Sequence, residues 1–274
     1  MNGLPLNEII HGDCLEVMRQ FPDKSIDMIL CDLPYGTTAC EWDTVIPLEP
    51  LWEQYERIIK DNGAIVLFGN EPFSSYLRIS NIKFYRYDWI WKKSRPTGFL
   101  NAKKIPLKEH ENIMVFYKKL PIYNPQGIVV GNFNNFRKAK LNKNNDIYGK
   151  EKEFGISKIG NYPTTILEFP SVTNKERVHE TQKPVALFEY LIKTYTNEGE
   201  IVLDNCIGSG TTAIACINTG RNFIGIEIEE KYVKIARERI EKHKKLDKMS
   251  LFPISELETG KLQYKGLFEP EDEE

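Results

Sequence analysis

The chain contains 274 residues, of which 41% are hydrophobic, and its formal net charge is −2. This length is enough for one large α/β domain with a modest insertion, or for two small domains. No apolar run approaches the length of a membrane span, and the N-terminus lacks the basic start and apolar core of a signal peptide, so we expect a soluble, cytoplasmic protein. The cysteines are scattered without a CxxC pair, which argues against a disulfide framework and a structural zinc site; they are Cys14, Cys31, Cys40, Cys206 and Cys216.

The first part of the chain predicts two strands that each end near an acidic residue. A short apolar segment leads to HGDC, and a helical pattern follows at 15–21. The apolar run SIDMILC, at 25–31, leads to DLPYG, in which Pro34 prevents the strand from continuing. Ligands bind at the carboxyl ends of the strands in parallel sheets, so we expect Asp32 and Tyr35 to lie at that edge.

The next part of the chain alternates between helical and strand patterns. We predict a helix at 48–59 and a buried strand at 63–69. Two strands rich in aromatic residues follow at 85–91 and 112–117, and their order suggests a hairpin-like pair at a sheet edge. At 118–178 the periodicity is weak and asparagine, glycine and lysine are frequent, so we predict an inserted module there.

The central part of the chain is basic although the whole chain is nearly neutral. Residues 92–183 contain 18 Lys and Arg against 8 Asp and Glu. Aromatic and amide side chains that can stack on bases or hydrogen-bond to them are interleaved with these charges: Tyr123, Asn124, Phe133, Asn134, Asn135, Phe136 and Tyr148. This combination favours a nucleic-acid-binding surface, while a solvated face with aromatic residues in a core is the alternative.

The stretch at 200–231, EIVLDNCIGSGTTAIACINTGRNFIGIEIEEK, predicts a strand, a tight loop, a helix and a second strand. The first strand ends at Asp204, the loop contains Gly208 and Gly210, and the second strand ends at Glu227. A Gly-x-Gly pair alone is a weak signal. An acid at each of two strand ends favours a ligand-binding site over a pair of solvated helix caps. The end of the chain is predicted to be an extension with an acidic tail.

Four segments together resemble the DNA amino-methyltransferases that use S-adenosylmethionine: DLPYG, VHETQKPVALFEYLI, IVLDNCIGSGTTAIAC and FIGIEIEEKYVKIA. Their order resembles the β group of these N6-adenine and N4-cytosine enzymes. The resemblance implies an α/β, Rossmann-like methyltransferase fold, with a mostly parallel, doubly wound sheet, an antiparallel edge strand and an inserted target-recognition region. The catalytic half then covers 1–117, the target-recognition region 118–178, the cofactor-binding half 179–248, and the acidic extension 249–274.

The same resemblance implies roles for individual residues. Asp32, Leu33, Pro34 and Tyr35 match the catalytic tetrapeptide, which is usually Asp-Pro-Pro-Tyr in adenine enzymes and Ser-Pro-Pro-Tyr in many cytosine-N4 enzymes. Leu33 departs from this pattern at a position that acts through its carbonyl, and Asn205 stands where proline is more frequent. Cofactor binding is implied for Asp13, Cys14, Asp32, Thr181, Lys183, Asp204, Cys206, Gly208, Ser209, Gly210, Thr211 and Glu227. Glu227 matches the acid that holds the ribose hydroxyls, and Lys183 lies near the methionine carboxylate.

These implied roles form a consistent chemistry. The lone pair of an exocyclic amine is delocalised into the base, and Asp32 with the carbonyl of Leu33 would accept the two N–H groups and localise it. Tyr35 would stack on a base turned out of double-stranded DNA. The hypothesis is a site-specific DNA adenine-N6 methyltransferase that uses S-adenosylmethionine and no metal, and that acts as a monomer or a homodimer. Cytosine-N4 transfer, an RNA substrate, a NAD-dependent oxidoreductase and a catalytically inactive DNA-binding protein are the alternatives.

Overall fold

The structure is a computed structural model that describes residues 3–36, 44–130, 159–172 and 182–250. The predicted cofactor residue Thr181 lies outside these ranges, as do Cys40, the aromatic and amide residues from Phe133 to Tyr148, and the acidic tail after residue 250.

Among the described residues, eight strands form the main sheet and two short strands form a separate pair. The strands are β1 (Glu8–His11), β2 (Ile26–Cys31), β3 (Ile59–Gly69), β4 (Tyr85–Thr97), β5 (Lys108–Phe116), β6 (Val129–Val130), β7 (Ile159–Gly160), β8 (Ile166–Phe169), β9 (Ile201–Asp204) and β10 (Asn222–Glu227). The main sheet has the order β1-β10-β9-β2-β3-β5-β4-β8, and β6 pairs with β7. The five strands from β1 to β3 are parallel, so their carboxyl ends meet at one edge.

The antiparallel strand lies inside the sheet, and the prediction that it lies at an edge was wrong. β5 runs antiparallel to both β3 and β4, which confirms the hairpin-like pair. The short strand β8 pairs with β4 in parallel and covers its outer side, so the edges of the sheet are β1 and β8. The indole N–H of Trp91 donates to the carbonyl of Phe169 at 2.9 Å and helps to hold β8 in place. β8 lies within the predicted target-recognition region, whose boundaries stay a prediction.

Helices cover both faces of the sheet. They are α1 (Cys14–Met18), α2 (Leu48–Ile58), α3 (Phe73–Ser80), α4 (Val185–Tyr195), α5 (Thr211–Thr219) and α6 (Glu230–Ser250). One core cluster packs α4, α5 and α6 against one face, and a second packs α1, α2 and α3 against the other. Every residue of β2 is buried, as expected for a central strand covered on both faces. No helix among the described residues is both long enough and apolar enough to cross a membrane.

Asn124, one of the amides predicted to contact bases, serves the fold. Its side-chain amide donates to the carbonyls of Lys193 and Thr196 at 3.2 Å each, at the carboxyl end of α4. The ring of the neighbouring Tyr123 packs 6.4 Å from the ring of Tyr195. Since the last carbonyls of a helix lack partners within the helix, Asn124 acts as a cap.

Candidate active site

A cavity of about 610 Å³ opens at the carboxyl edge of the parallel strands. This volume is within the range of small-molecule sites. Most of the predicted site residues line it: Asp13, Cys14, Asp32, Leu33, Pro34, Tyr35, Lys183, Asp204, Cys206, Gly208, Ser209, Thr211 and Glu227. The register explains this convergence, because Asp204 lies beside Gly225 in the sheet and Glu227 lies beside His11.

Asp32 follows directly after β2 and is held by two donors. The hydroxyl of Tyr35 donates to its Oδ1 atom, and the ammonium of Lys183 donates to its Oδ2 atom. The ring of Tyr35 packs against Phe73, with 5.2 Å between the ring centroids. Burial, reinforced by the charge of Asp32, raises the pKa of the Tyr35 hydroxyl well above its ordinary value, so this group stays a donor.

The fold accommodates both residues that depart from the expected motifs, Leu33 and Asn205. The side chain of Leu33 is buried in the core, while the residue still lines the cavity. Asn205 is buried as well, and its Oδ1 atom accepts a hydrogen bond of 2.5 Å from the hydroxyl of Tyr55 in α2. Proline cannot accept such a side-chain bond, so Asn205 ties the loop after β9 to α2 in a way that the usual residue does not.

Two charged residues of the site, Glu111 and Lys93, were missed in the sequence. Glu111 is 6% exposed, and its carboxylate lies 2.5 Å from the ammonium of Lys93 and 3.3 Å from that of Lys183. Both residues line the cavity. Glu111 and Lys93 form a cluster with Asp32 and Lys183. In this cluster of two carboxylates and two ammoniums, Lys183 contacts both acids.

Neighbouring charges favour the ionised forms of two members of this cluster, Lys183 and Glu111. Burial alone lowers the pKa of Lys183, but the carboxylates of Asp32 and Glu111 outweigh it and raise that pKa above its ordinary value. Burial raises the pKa of Glu111, but Lys183 and Lys93 outweigh it and lower the pKa overall. The Oε2 atom of Glu111 makes no aligned hydrogen bond with a described residue, although it lies within ion-pair distance of Lys183. Lys183 therefore interacts with this oxygen through charge attraction and not through a hydrogen bond.

Asp204 and Glu227 shape the loop between β9 and α5. Asp204 accepts the backbone N–H of Cys206 at 3.1 Å and the hydroxyl of Thr212. Glu227 accepts the backbone N–H groups of Gly208 and Glu229, each at 2.9 Å. Each carboxylate oxygen can accept a further bond, so both acids can also receive a ligand hydroxyl. Burial raises the pKa of Glu227.

Gly210 is the one described site residue that does not line the cavity. Its φ is +83°, and an added Cβ would lie 3.2 Å from the Cβ of Ala236 in α6. The guanidinium of Arg239, also in α6, donates to the carbonyl of Ser209 at 3.0 Å and to the hydroxyl of Thr211 at 3.2 Å. Gly210 thus lets α6 approach the loop from behind, and its predicted contact with the cofactor stays a prediction.

Cys14 and Cys31, two cysteines near the cavity, are buried thiols. Burial is the main reason that the pKa of Cys31 is raised to about 12, and the pKa of Cys14 is raised by the thiol of Cys206 and by burial. Such thiols are poor nucleophiles at neutral pH. In the ranges that the structure covers, no group of three or more His, Cys, Asp or Glu side chains is arranged to hold a metal ion.

The buried Asp204 predicts a pH-dependent stability. Burial raises the pKa of its carboxyl to about 7, against an ordinary value of 3.8. The folded protein binds more protons than the unfolded chain between these values, so the free energy of unfolding falls as the pH rises, by up to about 1.4 kcal/mol per pH unit for one proton. The variant Asp204→Asn has no carboxyl at this position and should not lose this stability. The melting temperature of the variant minus that of the parent should therefore increase by a few degrees between pH 4 and pH 7. Thermal denaturation at both pH values measures the difference, and a constant difference contradicts the prediction.

Comparisons with known proteins agree with this geometry. The family model described as DNA methylase matches residues 26–238. The DNA adenine methyltransferase YhdJ of Escherichia coli K12 is 27% identical over 284 residues, which cover 96% of this chain and 92% of YhdJ. The solved complex of M1.HpyAVI with SAM has a TM-score of 0.60 and 26% identity, over 85% of this chain and 98% of that chain. The cytosine-N4-specific PvuII DNA methyltransferase has a TM-score of 0.60 and 17% identity, over 84% of each chain.

These similarities confirm the Rossmann-like methyltransferase fold predicted from the sequence, and they decide against the alternative of a NAD-dependent oxidoreductase. The matched family segment begins at the first residue of β2 and ends within α6, so it includes both strand ends that carry Asp32 and Asp204. The chain belongs to the DNA methylase family and is a DNA methyltransferase.

Proposed function

We propose that the protein transfers a methyl group from S-adenosylmethionine to the N6 amino group of adenine in double-stranded DNA, after the base has turned out of the helix. The observation that carries this proposal is the single cavity shared by Asp32, Asp204 and Glu227. A methyl donor bound at Asp204 and Glu227 can reach a base held at Asp32 only if all three residues face the same cavity.

The residues of the cavity fit S-adenosylmethionine. Glu227 and Asp204 offer carboxylate oxygens at the ends of adjacent strands, where acids hold ribose hydroxyls. Acidic groups also suit a ligand with a sulfonium and an ammonium charge, and the bound cofactor supplies a methyl group activated by its sulfonium. The similar M1.HpyAVI was solved with SAM, which supports the same choice for this chain. Thr181 stays a predicted contact, since it lies outside the described residues.

The proposed role of Asp32 follows from its partners. Tyr35 and Lys183 each donate to one of its oxygens, and this fixes the carboxylate at the cavity wall. A carboxylate oxygen can accept a second hydrogen bond, so Asp32 can take one N–H of the amine while the carbonyl of Leu33 takes the other. The charge of Asp32 then stabilises the positive charge that develops on the nitrogen during transfer. This hydrogen bond supports Tyr35 as a residue that positions Asp32, in addition to its predicted role as the stacking partner of the base.

Adenine is preferred over cytosine as the target for two reasons. The tetrapeptide begins with Asp32, as is usual in the adenine enzymes, and not with serine. The similar YhdJ is named a DNA adenine methyltransferase. We expect that unmethylated genomic DNA, incubated with the protein and deuterated S-adenosylmethionine, yields N6-methyldeoxyadenosine with the heavy methyl group when its nucleosides are analysed by mass spectrometry. Labelled N4-methyldeoxycytidine in its place overturns the adenine assignment, and sequencing of the same DNA gives the target sequence.

A further inference from the structure

Strands β4 and β5 continue past the end of β3 and form an arm, which we define as residues 92–108. Gly69, the last residue of β3, lies opposite Asn112 of β5, which in turn lies opposite Ile90 of β4. The arm therefore begins where β3 has ended and projects beyond the carboxyl edge of the sheet. Two of its residues, Lys93 and Thr97, line the cavity. The arm thus stands beside the site at which a DNA base is methylated.

The tip of the arm carries two large apolar side chains in solvent. Gly98, with a φ of +89°, turns the chain into a short 3-10 helix, Phe99–Asn101. Phe99 is 81% exposed and Leu100 is 99% exposed. Single exposed apolar residues are ordinary on protein surfaces. Two adjacent ones at the end of a projecting hairpin form a tip that a bound partner can bury.

The charge around this tip indicates the kind of partner. The arm contains six Lys and Arg and no Asp or Glu. Lys92 and Lys93 are paired with Glu168 and Glu111. The other four are exposed, and none of them lies within 4.0 Å of a carboxylate of the described residues; they are Arg95, Lys103, Lys104 and Lys108. A projecting element with several unneutralised cations complements the phosphates of a nucleic acid.

We propose that the arm binds the target DNA, and that Phe99 and Leu100 enter the duplex at the position from which the target base is removed. A base that leaves the helix exposes the faces of its neighbours and leaves its partner base unpaired. Apolar side chains inserted between base steps fill such a gap and replace part of the lost stacking. The cations on both sides of the tip bind the phosphates of the opened segment.

This role rests on the base-turning part of the proposed function, and its test separates the two. The variant Phe99→Ala/Leu100→Ala is assayed on two duplexes that carry the target sequence, one fully paired and one with an abasic site opposite the target base. On the paired duplex we expect kcat/KM to fall by about tenfold or more, because the variant has lost stacking partners for the opened step. On the second duplex, where no base pair has to be broken, the fall should stay below about threefold.

Several measurements decide against the proposal if it is wrong. An undiminished rate on the paired duplex overturns it, and so does an equal loss on both duplexes, which indicates general damage to the site. The control is Ile79→Ala/Ile82→Ala, whose side chains are 73% and 67% exposed. Ile79 lies in the last turn of α3 and Ile82 just after this helix, before the amino end of β4, whose other end forms the arm. This control should react with both duplexes like the parent protein. If the product is N4-methylcytosine, the adenine assignment fails, while the same pair of duplexes with a cytosine target still tests the arm.

The charged part of the arm has a separate readout. In Lys103→Gln/Lys104→Gln, the plot of the logarithm of the DNA-binding constant against the logarithm of the salt concentration should lose about 1 to 2 units of slope, since each phosphate contact contributes about 0.9. An unchanged slope means that these lysines do not contact phosphates and contradicts the placement of the arm on the DNA.

Discussion

Asp32→Asn is expected to lower the rate of methyl transfer by about 1000-fold while S-adenosylmethionine still binds. Asparagine keeps the shape of the side chain but removes the charge that stabilises the developing positive nitrogen. In the structure, Tyr35 and Lys183 each donate a hydrogen bond to one oxygen of Asp32. The NH₂ group of asparagine is itself a donor, so it cannot accept the bond from one of these two neighbours. Single-turnover methyl transfer measures the chemical step, and calorimetric titration with the cofactor measures binding separately.

The matched control for this variant lies at the other end of the same strand. Asp23 precedes β2, its side chain is 73% exposed, and it forms an ion pair of 2.8 Å with Arg57. Asp23→Asn removes an equal charge far from the cavity and should leave the rate within about twofold, since exposed ion pairs contribute little. A rate for Asp32→Asn within tenfold of the parent contradicts the assigned role. Loss of cofactor binding together with the rate points to a damaged fold instead of a lost catalytic charge.

The centre of the sheet can be predicted from the sequence because its features are local. The strands β2 and β9 are short and mostly apolar, and their apolar residues lead directly to Asp32 and Asp204. Each strand and its polar end can therefore be recognised from neighbouring residues. The edge strand β8 cannot be predicted in this way. The segment ILEF of β8 has only four residues, and pairing with β4 makes it a strand. Such a pairing joins distant parts of the chain and leaves no pattern in the segment itself.

In the site, too, local features can be predicted from the sequence and contacts between distant residues cannot. The loops of Asp32 and Glu227 carry motifs, and their shared edge follows from the rule for parallel strands. The bond from Tyr55 to Asn205 joins residues 150 positions apart, and the contact of Lys183 with Asp32 spans 151 positions. Neither depends on spacing within a motif. Glu111 did leave a signal, because an acid stands at the start of the apolar run NIMVFY, but the strand was predicted to begin one residue later.

Glu111→Gln is expected to lower the free energy of unfolding by about 3–5 kcal/mol, the usual effect of breaking a buried ion pair from one side. The carboxylate of Glu111 balances Lys93 and shares Lys183 with Asp32, and the side chains of all three partners in this arrangement are mostly buried. Without its charge, two buried ammoniums remain for the single carboxylate of Asp32. Urea denaturation followed by circular dichroism measures the loss.

Two further variants separate the charge balance from simple packing. Glu111→Gln/Lys93→Met removes one cation together with the anion, so a single ammonium again faces a single carboxylate, and more than half of the lost stability should return. Glu109→Gln is the matched control, because Glu109 is exposed on the same strand two residues earlier, and its change should stay within about 0.5 kcal/mol. If the double variant is no more stable than Glu111→Gln, the loss comes from packing around Glu111 and not from an unpaired ammonium. Recovery in the double variant shows that Glu111 is required because its charge balances the second ammonium of the cluster, that of Lys93.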